Sequence, residues 1–162
     1  KSVRDIKVGF GFFNLTYFVA GEKQYTLAEI EHSILRKQFI DPRMHVAINC
    51  ASRGCPKLSQ VVFQPKFLEE QLDEKMRVFL SESRNFKINK KENIIYLSKI
   101  FKWFETDFTG WYKNIYGVKN VGIKDFLMLY LFEEDRRYFQ KHPNLRIQYL
   151  DYDWALNDQA IE

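Results

Sequence analysis

The chemically richest part of the chain is a short segment near residue 50. Both cysteines, Cys50 and Cys55, lie there, and His45 precedes the first of them by five residues. Gly54, directly before the second cysteine, permits a tight turn because it has no side chain. A thiol beside an imidazole is the pair that cysteine hydrolases and acyltransferases use for nucleophilic catalysis. The segment from His45 to Cys55 is therefore predicted to form a thiol-dependent site.

The thiolate is the nucleophile, so a cysteine with an ordinary pKa of ~8.5 needs a neighbouring cation to ionise at neutral pH. His45 or His32 is the predicted cation and general acid/base. The apolar residues after His45 predict a buried strand over residues 44–50. Along a strand, His45 and Cys50 would point to opposite faces. We therefore rank Cys55 above Cys50 as the nucleophile.

Four polar residues around the cysteines are predicted to bind substrate. Arg43 and Arg53 flank the cysteine segment, and a guanidinium group binds a carboxylate or a phosphate through two parallel hydrogen bonds. Arg43 could equally pair with Asp41. Asn49 is predicted to contact the substrate or to orient the imidazole, and Ser52 completes the set. The expected substrate is a small molecule or a peptide.

Three other interpretations of the cysteine pair stay open. A Cys50–Cys55 disulfide would close a six-residue loop and favour a non-catalytic binding or scaffold domain. Unreactive thiols packed as small hydrophobic groups are common in protein cores. A zinc site would combine both cysteines with His45 and His32, but their H-x4-C-x4-C spacing is not an established zinc motif. We predict no metal and no cofactor.

The composition indicates one folded domain over residues 1–162. Hydrophobic residues make up 46% and aromatic residues 17%, which argues against disorder. The net charge of +4 is small and the lysines are interleaved with acids, so no nucleic-acid partner is predicted. No segment reaches the ~18 apolar residues that cross a bilayer. Two cysteines fix no compartment, although a disulfide would favour an extracytoplasmic or periplasmic location. The oligomeric state is open.

Helical and extended patterns alternate irregularly along the chain, which predicts the α+β class. We expect a small mixed or antiparallel sheet packed against about four helices. In the first part of the chain, the predicted elements are extended structure over residues 6–20 with a strand at Tyr17–Val19, a turn at Gly21–Lys23, and a helix that the capping box Thr26–Glu29 opens and that ends before Pro42. The middle part is predicted to form a strand at Met44–Cys50, a helix from Pro65 through Leu80 and a hairpin from Phe86 to Leu97. The last predicted elements are a helix capped by Ser98, a helix from Ile123 through Leu131 toward Tyr138, and a strand at Arg146–Leu150.

A series of short motifs runs through most of the chain. They are Tyr25–Leu27, Ile30–His32, Ile34–Arg36, Asp41–His45, Asn49–Ser52, Cys55–Pro56, Tyr96–Ser98, Ile100–Trp103 and Leu150–Asp158. In this order they resemble the family called domain of unknown function 547, and the part from Asp41 to Pro56 is the most specific. The family domain usually begins with a helical segment bearing Trp-Ile-Asn and Tyr-Asn-Ala patterns, and this chain starts after that place. The resemblance implies a papain-like or transglutaminase-like cysteine enzyme.

Overall fold

A computed structural model describes residues 1–6 and 11–158, and these residues form an α+β fold as predicted. Seven α-helices and five strands in two small sheets lie within this part of the chain. The helices are α1 (Gly11–Leu15), α2 (Leu27–Glu29), α3 (Leu68–Ser81), α4 (Lys99–Trp103), α5 (Glu105–Tyr116), α6 (Ile123–Leu127) and α7 (Glu133–Lys141). The strands are β1 (Tyr17–Ala20), β2 (Lys23–Thr26), β3 (Phe86–Asn89), β4 (Ile94–Leu97) and β5 (Arg146–Tyr149). Over the same described residues, every helix is too short or too polar to cross a membrane.

The chain divides into two compact units. Unit 1 comprises residues 1–41, 49–55 and 153–162, and unit 2 comprises residues 42–48 and 56–152. The segment from His45 to Cys55 is divided between them, because residues 49–55 belong to unit 1 and residues 45–48 belong to unit 2. A single domain over residues 1–162 stays a prediction.

Unit 1 contains a hairpin followed by a helical segment. Strands β1 and β2 pair antiparallel across the predicted turn, where Gly21 has φ 65°. Thr26 then caps α2, and its hydroxyl and the Glu29 carboxylate exchange hydrogen bonds with the backbone as a capping box. A π-helix, Ile30–Phe39, continues α2 and ends at Ile40, which adopts the left-handed conformation before Pro42. The extended structure predicted over residues 6–20 is wrong for Gly11–Leu15, which form α1, and residues 7–10 lie outside the described residues.

Unit 2 holds a mixed three-stranded sheet and its own hydrophobic core. Strand β4 lies in the centre, antiparallel to β3 and parallel to β5. Helix α3 buries one apolar side, and aromatic residues from α4, α5 and α6 fill the core. The buried residues from these four helices are Leu72, Met76, Phe79, Leu80, Ile100, Phe101, Phe108, Ile123, Phe126 and Leu127. The hairpin predicted from Phe86 to Leu97, the Ser98 cap and the last strand are confirmed.

Two predicted elements are wrong in unit 2. The strand predicted at Met44–Cys50 is instead a 3-10 helix, Pro42–Val46, whose five residues are all buried. A short run of buried residues gives the same apolar pattern in a helix as in a buried strand, so periodicity alone cannot distinguish the two. Pro42 is compatible with the helix, because proline is well suited to a first helical turn. The helix predicted from Ile123 toward Tyr138 is split into α6 and α7, with Glu133 opening the second helix.

Glu82, just after α3, makes the stability of unit 2 depend on pH. Its carboxylate accepts hydrogen bonds from Lys57 Nζ at 2.6 Å, Arg84 Nε at 2.8 Å and Asn85 Nδ2 at 3.0 Å. Burial acts to raise the pKa of Glu82, but the hydrogen bonds and charges of Lys57 and Arg84 outweigh it and lower the pKa. Because the pKa of Glu82 is lower in the folded state than its ordinary value of 4.5, the ionised carboxylate stabilises the fold at pH values above 4.5. This stabilisation is lost as the pH falls through the pKa of Glu82 in the folded state.

We expect Glu82→Gln to lower the free energy of unfolding at pH 7 by about 1 kcal/mol, because the partly exposed ion pairs lose their charge. The difference from the unaltered chain should shrink below the ordinary carboxyl pKa of 4.5. Urea unfolding between pH 3 and pH 7 measures both effects. Exposed Glu74 on α3 supplies the control, since Glu74→Gln removes the same charge at a residue that takes no part in the three Glu82 hydrogen bonds. Parallel pH profiles for the Glu82→Gln variant and the unaltered chain would contradict the assignment.

Candidate functional site

The two cysteines form a disulfide in unit 1. The Cys50 and Cys55 sulfurs are 2.06 Å apart, and no cysteine is free. The backbone N–H of Cys50 donates to the Cys55 sulfur at 2.8 Å, and the N–H of Cys55 donates to the Ser52 carbonyl at 3.1 Å. Cys55 is buried, with 5% of its surface exposed. The disulfide therefore closes a compact turn whose sulfurs are both engaged.

The disulfide turn is attached to residues 153–157, which lie alongside it as a third segment of unit 1. The backbone hydrogen bonds run from Arg53 N to Ala155 O (2.9 Å), from Gly54 N to Asp153 O (2.9 Å), from Asn157 N to Ala51 O (2.9 Å), from Leu156 N to Lys1 O (3.0 Å) and from Val3 N to Trp154 O (3.4 Å). The odd-numbered residues of this segment bond to the turn and the even-numbered ones to residues 1–3. Residues 153–157 thus lie between the turn and residues 1–3 and are joined to each by an isolated β-bridge, Ser52–Leu156 and Ser2–Ala155, an arrangement that the sequence did not predict.

Within the turn, the polar candidates have different environments. The Asn49 side chain accepts the Ala51 N–H at 2.7 Å, which fits the left-handed conformation of Ala51 (φ 62°). Ser52 is 1% exposed, bridges to Leu156, and has its hydroxyl 3.1 Å from the Cys50 sulfur. Asn49 and Arg53 are exposed. The turn therefore presents Asn49 and Arg53 to solvent and buries Ser52.

His45 lies in unit 2, in the Pro42–Val46 3-10 helix. Its side chain is 1% exposed, and Nε2 donates to the Asp107 carboxylate at 2.8 Å. The ring stacks on Phe104 with centroids 3.7 Å apart, and Phe108 is a further neighbour at 5.7 Å. This environment holds the imidazole rigidly by packing and a charge-assisted hydrogen bond.

Arg43, two residues earlier, is also buried in unit 2. Its Nη1 donates to Asp73 at 2.7 Å and its Nη2 donates to Glu69 at 2.6 Å. Both carboxylates project from α3, one turn apart, and together they bind the guanidinium fork. These two contacts with α3 were not expected from the sequence, and the pairing of Arg43 with Asp41 stays a prediction.

His32 lies on the π-helix of unit 1, and half of its side chain is exposed. Its Nδ1 is 3.3 Å from Arg36 Nη1 and 3.9 Å from a Glu31 carboxylate oxygen. Because a guanidinium can only donate, Nδ1 accepts this hydrogen bond. This is the i, i+4 contact expected of neighbours on one helical face.

The predicted site residues are therefore divided between the two units. The two cysteines lie in unit 1 together with Asn49, Ser52, Arg53 and His32, whereas His45 and Arg43 lie in unit 2. Asp107, Glu69 and Asp73, which bind the two buried side chains, were not found from the sequence. Glu69 and Asp73 are four residues apart on a predicted helix. This spacing places both carboxylates on the same face of the helix, where one arginine can bind them together.

A narrow crevice in unit 2 lies next to Lys75. Its walls are Val46, Pro56, Lys57, Lys75, Val78, Phe79 and Glu82, and it has room for about one water molecule. Burial lowers the pKa of Lys75, Glu82 partly opposes this effect, and Lys75 Nζ donates to the Lys57 carbonyl at 3.0 Å. The crevice is too small for a substrate. Among residues 1–6 and 11–158, no three His, Cys, Asp or Glu side chains converge to hold a metal ion.

The comparison with protein families gives one match. The sequence model of the family described as "Protein of unknown function, DUF547" matches residues 6–80. This range contains the motifs between Tyr25 and Pro56, so the predicted resemblance is confirmed there, whereas the motifs from Tyr96 onward lie beyond it. No curated protein and no solved structure matches the chain significantly.

Proposed function

We propose that this chain, whose residues 6–80 match a family of unknown function, is a non-catalytic binding or scaffold domain with a structural disulfide. The observation that carries the proposal is the Cys50–Cys55 disulfide itself, set in a turn that is hydrogen-bonded to residues 153–157. A thiol enzyme needs a free thiolate. A disulfide whose turn is held by backbone hydrogen bonds is typical of a structural role, in which the cysteines fix the shape of the turn and do not react.

The surface of the turn suggests how it would bind a partner. Asn49 and Arg53 are exposed on a loop that the disulfide fixes, so the backbone that carries them loses little conformational entropy when they contact a ligand. A guanidinium and an amide together recognise a carboxylate, and a peptide or small molecule bearing one is the proposed class of ligand. In this proposal His45, Arg43 and Ser52 are structural residues, and His32 is a surface residue.

Counting thiols in the folded protein tests the proposal directly. We expect no reaction with iodoacetamide at pH 7 without reductant, and two modified cysteines after a reductant is added. Intact-mass measurement gives the number of added groups. One or two cysteines that react in the folded, unreduced protein, faster than a free thiol, would overturn the structural assignment.

The disulfide should also stabilise the local network. Closing a six-residue loop removes chain entropy worth about 2 kcal/mol, so we expect Cys50→Ser/Cys55→Ser to lower the local opening free energy of the Arg53, Gly54 and Asn157 amides by about that amount. Native-state hydrogen exchange measures it residue by residue. Adding reductant to the unaltered chain should give the same loss and should leave the double variant unchanged. Equal protection of these amides in both proteins would contradict the prediction.

A thiol-dependent hydrolase or acyltransferase is the second candidate, and one contact favours it. The Cys50 N–H donates to the Cys55 sulfur, and a hydrogen bond of this kind stabilises a thiolate once the disulfide is reduced. In that case, the reduced protein would release p-nitrophenol from p-nitrophenyl acetate in a burst stoichiometric with protein. Cys55→Ser would abolish the burst and Cys50→Ser would retain it. The absence of a burst in the reduced protein would exclude this candidate for acyl transfer.

A further inference from the structure

Each sulfur of the disulfide in unit 1 lies against a hydrogen-bond donor. The backbone N–H of Cys50 donates to the Cys55 sulfur at 2.8 Å. The Ser52 hydroxyl is 3.1 Å from the Cys50 sulfur and is the donor there, because a disulfide sulfur carries no hydrogen. A hydrogen bond to a thiolate is stronger than one to a neutral sulfur, so both contacts stabilise the reduced form more than the disulfide. A disulfide whose reduced form is stabilised is easier to reduce.

The backbone inside the disulfide loop also favours reduction. Ala51 has φ 62°, a left-handed conformation that is costly for a residue with a side chain. The Asn49 side chain accepts the Ala51 N–H at 2.7 Å and so helps to hold this conformation. Once the loop opens, the Ala51 backbone can adopt a more favourable conformation, and this relaxation stabilises the reduced form further.

The two sulfurs differ in their access to solvent. Cys55 is 5% exposed, whereas Cys50 is partly exposed and lies between Asn49 and Ala51, which are both exposed. An external thiolate has to approach the sulfur that it attacks, so Cys50 is the sulfur that it reaches. Cys55 is then the leaving sulfur, and the Cys50 N–H stabilises its negative charge.

We propose that the Cys50–Cys55 disulfide is a redox switch that small thiols of the glutathione class reduce through Cys50. A glutathione thiolate attacks the Cys50 sulfur, the bond between the two cysteines breaks, and Cys55 leaves as a thiolate with both electrons of that bond. A second glutathione thiolate attacks the glutathione sulfur of this mixed disulfide, which releases oxidised glutathione and leaves Cys50 as a thiolate. The two cysteines take up, through solvent, the two protons that the glutathione thiols lost.

Reduction loosens the attachment of the turn to residues 153–157. This attachment depends on the Arg53 and Gly54 N–H groups and on the Ala51 carbonyl, and all three residues lie inside the disulfide loop. Opening the loop restores conformational freedom to their backbone, so these hydrogen bonds become less stable. The switch thus adds a reduced, looser state to the structural role of the disulfide. Any effect of this state on ligand binding rests on the proposed function, whereas the reduction itself does not.

Equilibrating the unaltered chain with glutathione buffers tests the switch. The samples start from oxidised and from reduced protein, and acid quenching, alkylation and intact-mass measurement give the reduced fraction. We expect at least about half of the protein to be reduced in ~10 mM reduced and ~0.1 mM oxidised glutathione. A protein that stays more than about 95% oxidised at equilibrium would overturn the proposal, because structural disulfides resist such a buffer.

A pair of glycine variants tests the contribution of the loop backbone. Glycine adopts the left-handed conformation at little cost, so Ala51→Gly should lower the equilibrium constant for reduction by about fivefold. Ala20→Gly, at an exposed residue of β1 outside the loop, should leave this constant unchanged. If Ala51→Gly were reduced as easily as the Ala20→Gly control, relaxation of Ala51 would not drive the switch.

Single-cysteine variants test the roles of the two sulfurs. Cys55→Ser retains the partly exposed Cys50 and should react with oxidised glutathione about tenfold faster, or more, than Cys50→Ser, which retains the buried Cys55. Circular dichroism checks that both variants are folded. Equal rates in the two folded variants would overturn the assignment of Cys50 as the attacked sulfur.

Hydrogen exchange of the glutathione-reduced, unaltered chain shows whether reduction changes the turn. We expect the Arg53, Gly54 and Asn157 amides to exchange about tenfold faster or more than in the oxidised protein. Unchanged exchange would overturn the switch even if the disulfide is reducible. A disulfide that forms but resists glutathione removes only the switch, whereas free thiols in the unreduced protein would remove the proposed function as well.

Discussion

His45→Ala is expected to lower the free energy of unfolding of unit 2 by about 3–4 kcal/mol. The ring is 1% exposed and stacks on Phe104 at 3.7 Å, so its removal leaves a cavity in a packed region. The same substitution removes the hydrogen bond to Asp107, which leaves that carboxylate without its imidazole donor. Urea unfolding followed by tryptophan fluorescence measures the change.

Two further variants separate the packing contribution from the charge contribution. Asp107→Asn retains an acceptor of the same shape and should cost less than His45→Ala, because the ring stays in place. His32→Ala, at a half-exposed histidine of unit 1, should change stability by less than about 0.5 kcal/mol. If His45→Ala proved as mild as His32→Ala, the buried pair would not stabilise the fold, and a catalytic role for His45 would gain support.

Arg43→Met should lower the free energy of unfolding by about 3 kcal/mol. The guanidinium is 6% exposed and bonds to Glu69 and Asp73, so it joins the Pro42–Val46 segment to α3. Methionine fills most of the volume but leaves Asp73, which is 33% exposed, without its closest cation. Removing one partner of a buried ion pair typically costs several kcal/mol, and the exposure of Glu69 reduces the cost here.

The chain offers a matched control for this substitution. Arg77 also contacts Asp73, at 3.6 Å, but it lies on the surface with 46% of its side chain exposed. Arg77→Met should therefore change stability by less than about 0.5 kcal/mol, as exposed i, i+4 pairs usually do. Equal losses of unfolding free energy in the two arginine variants would show that the buried ion pairs of Arg43 stabilise the fold no more than the exposed ion pair of Arg77.

These two experiments bear on the meaning of the segment from Asp41 to Pro56, the most specific part of the family resemblance. In the proposed function, Arg43 and His45 organise unit 2, and Cys50 and Cys55 organise unit 1. If the His45 and Arg43 variants lose much stability and the cysteines do not react in the folded protein, the residues of this segment have structural roles. If the His45 variant is stable and the cysteines are reactive, the segment has the properties of a catalytic motif.

Local signals in the sequence were sufficient for several elements. The capping box at Thr26–Glu29, the proline at the start of the Pro65 turn and the Ser98 cap each marked a helix start, because these residues satisfy or omit backbone donors within one turn. The hairpin of β3 and β4 followed from apolar runs separated by a polar turn. The resemblance to the family was also readable, since it rests on residue types in order.

The sequence by itself determined the residues of the cysteine segment, their chemical types and the short spacing that permits a disulfide. Only the tertiary structure decided how they are used. His45 meets Asp107 across 62 positions, Arg43 meets Asp73 across 30, and the turn pairs with residues 153–157 about a hundred positions later. A helix cap is set by neighbours within one turn of backbone. A buried imidazole or guanidinium instead takes whichever carboxylate the packed core brings within reach, and that packing depends on the whole chain.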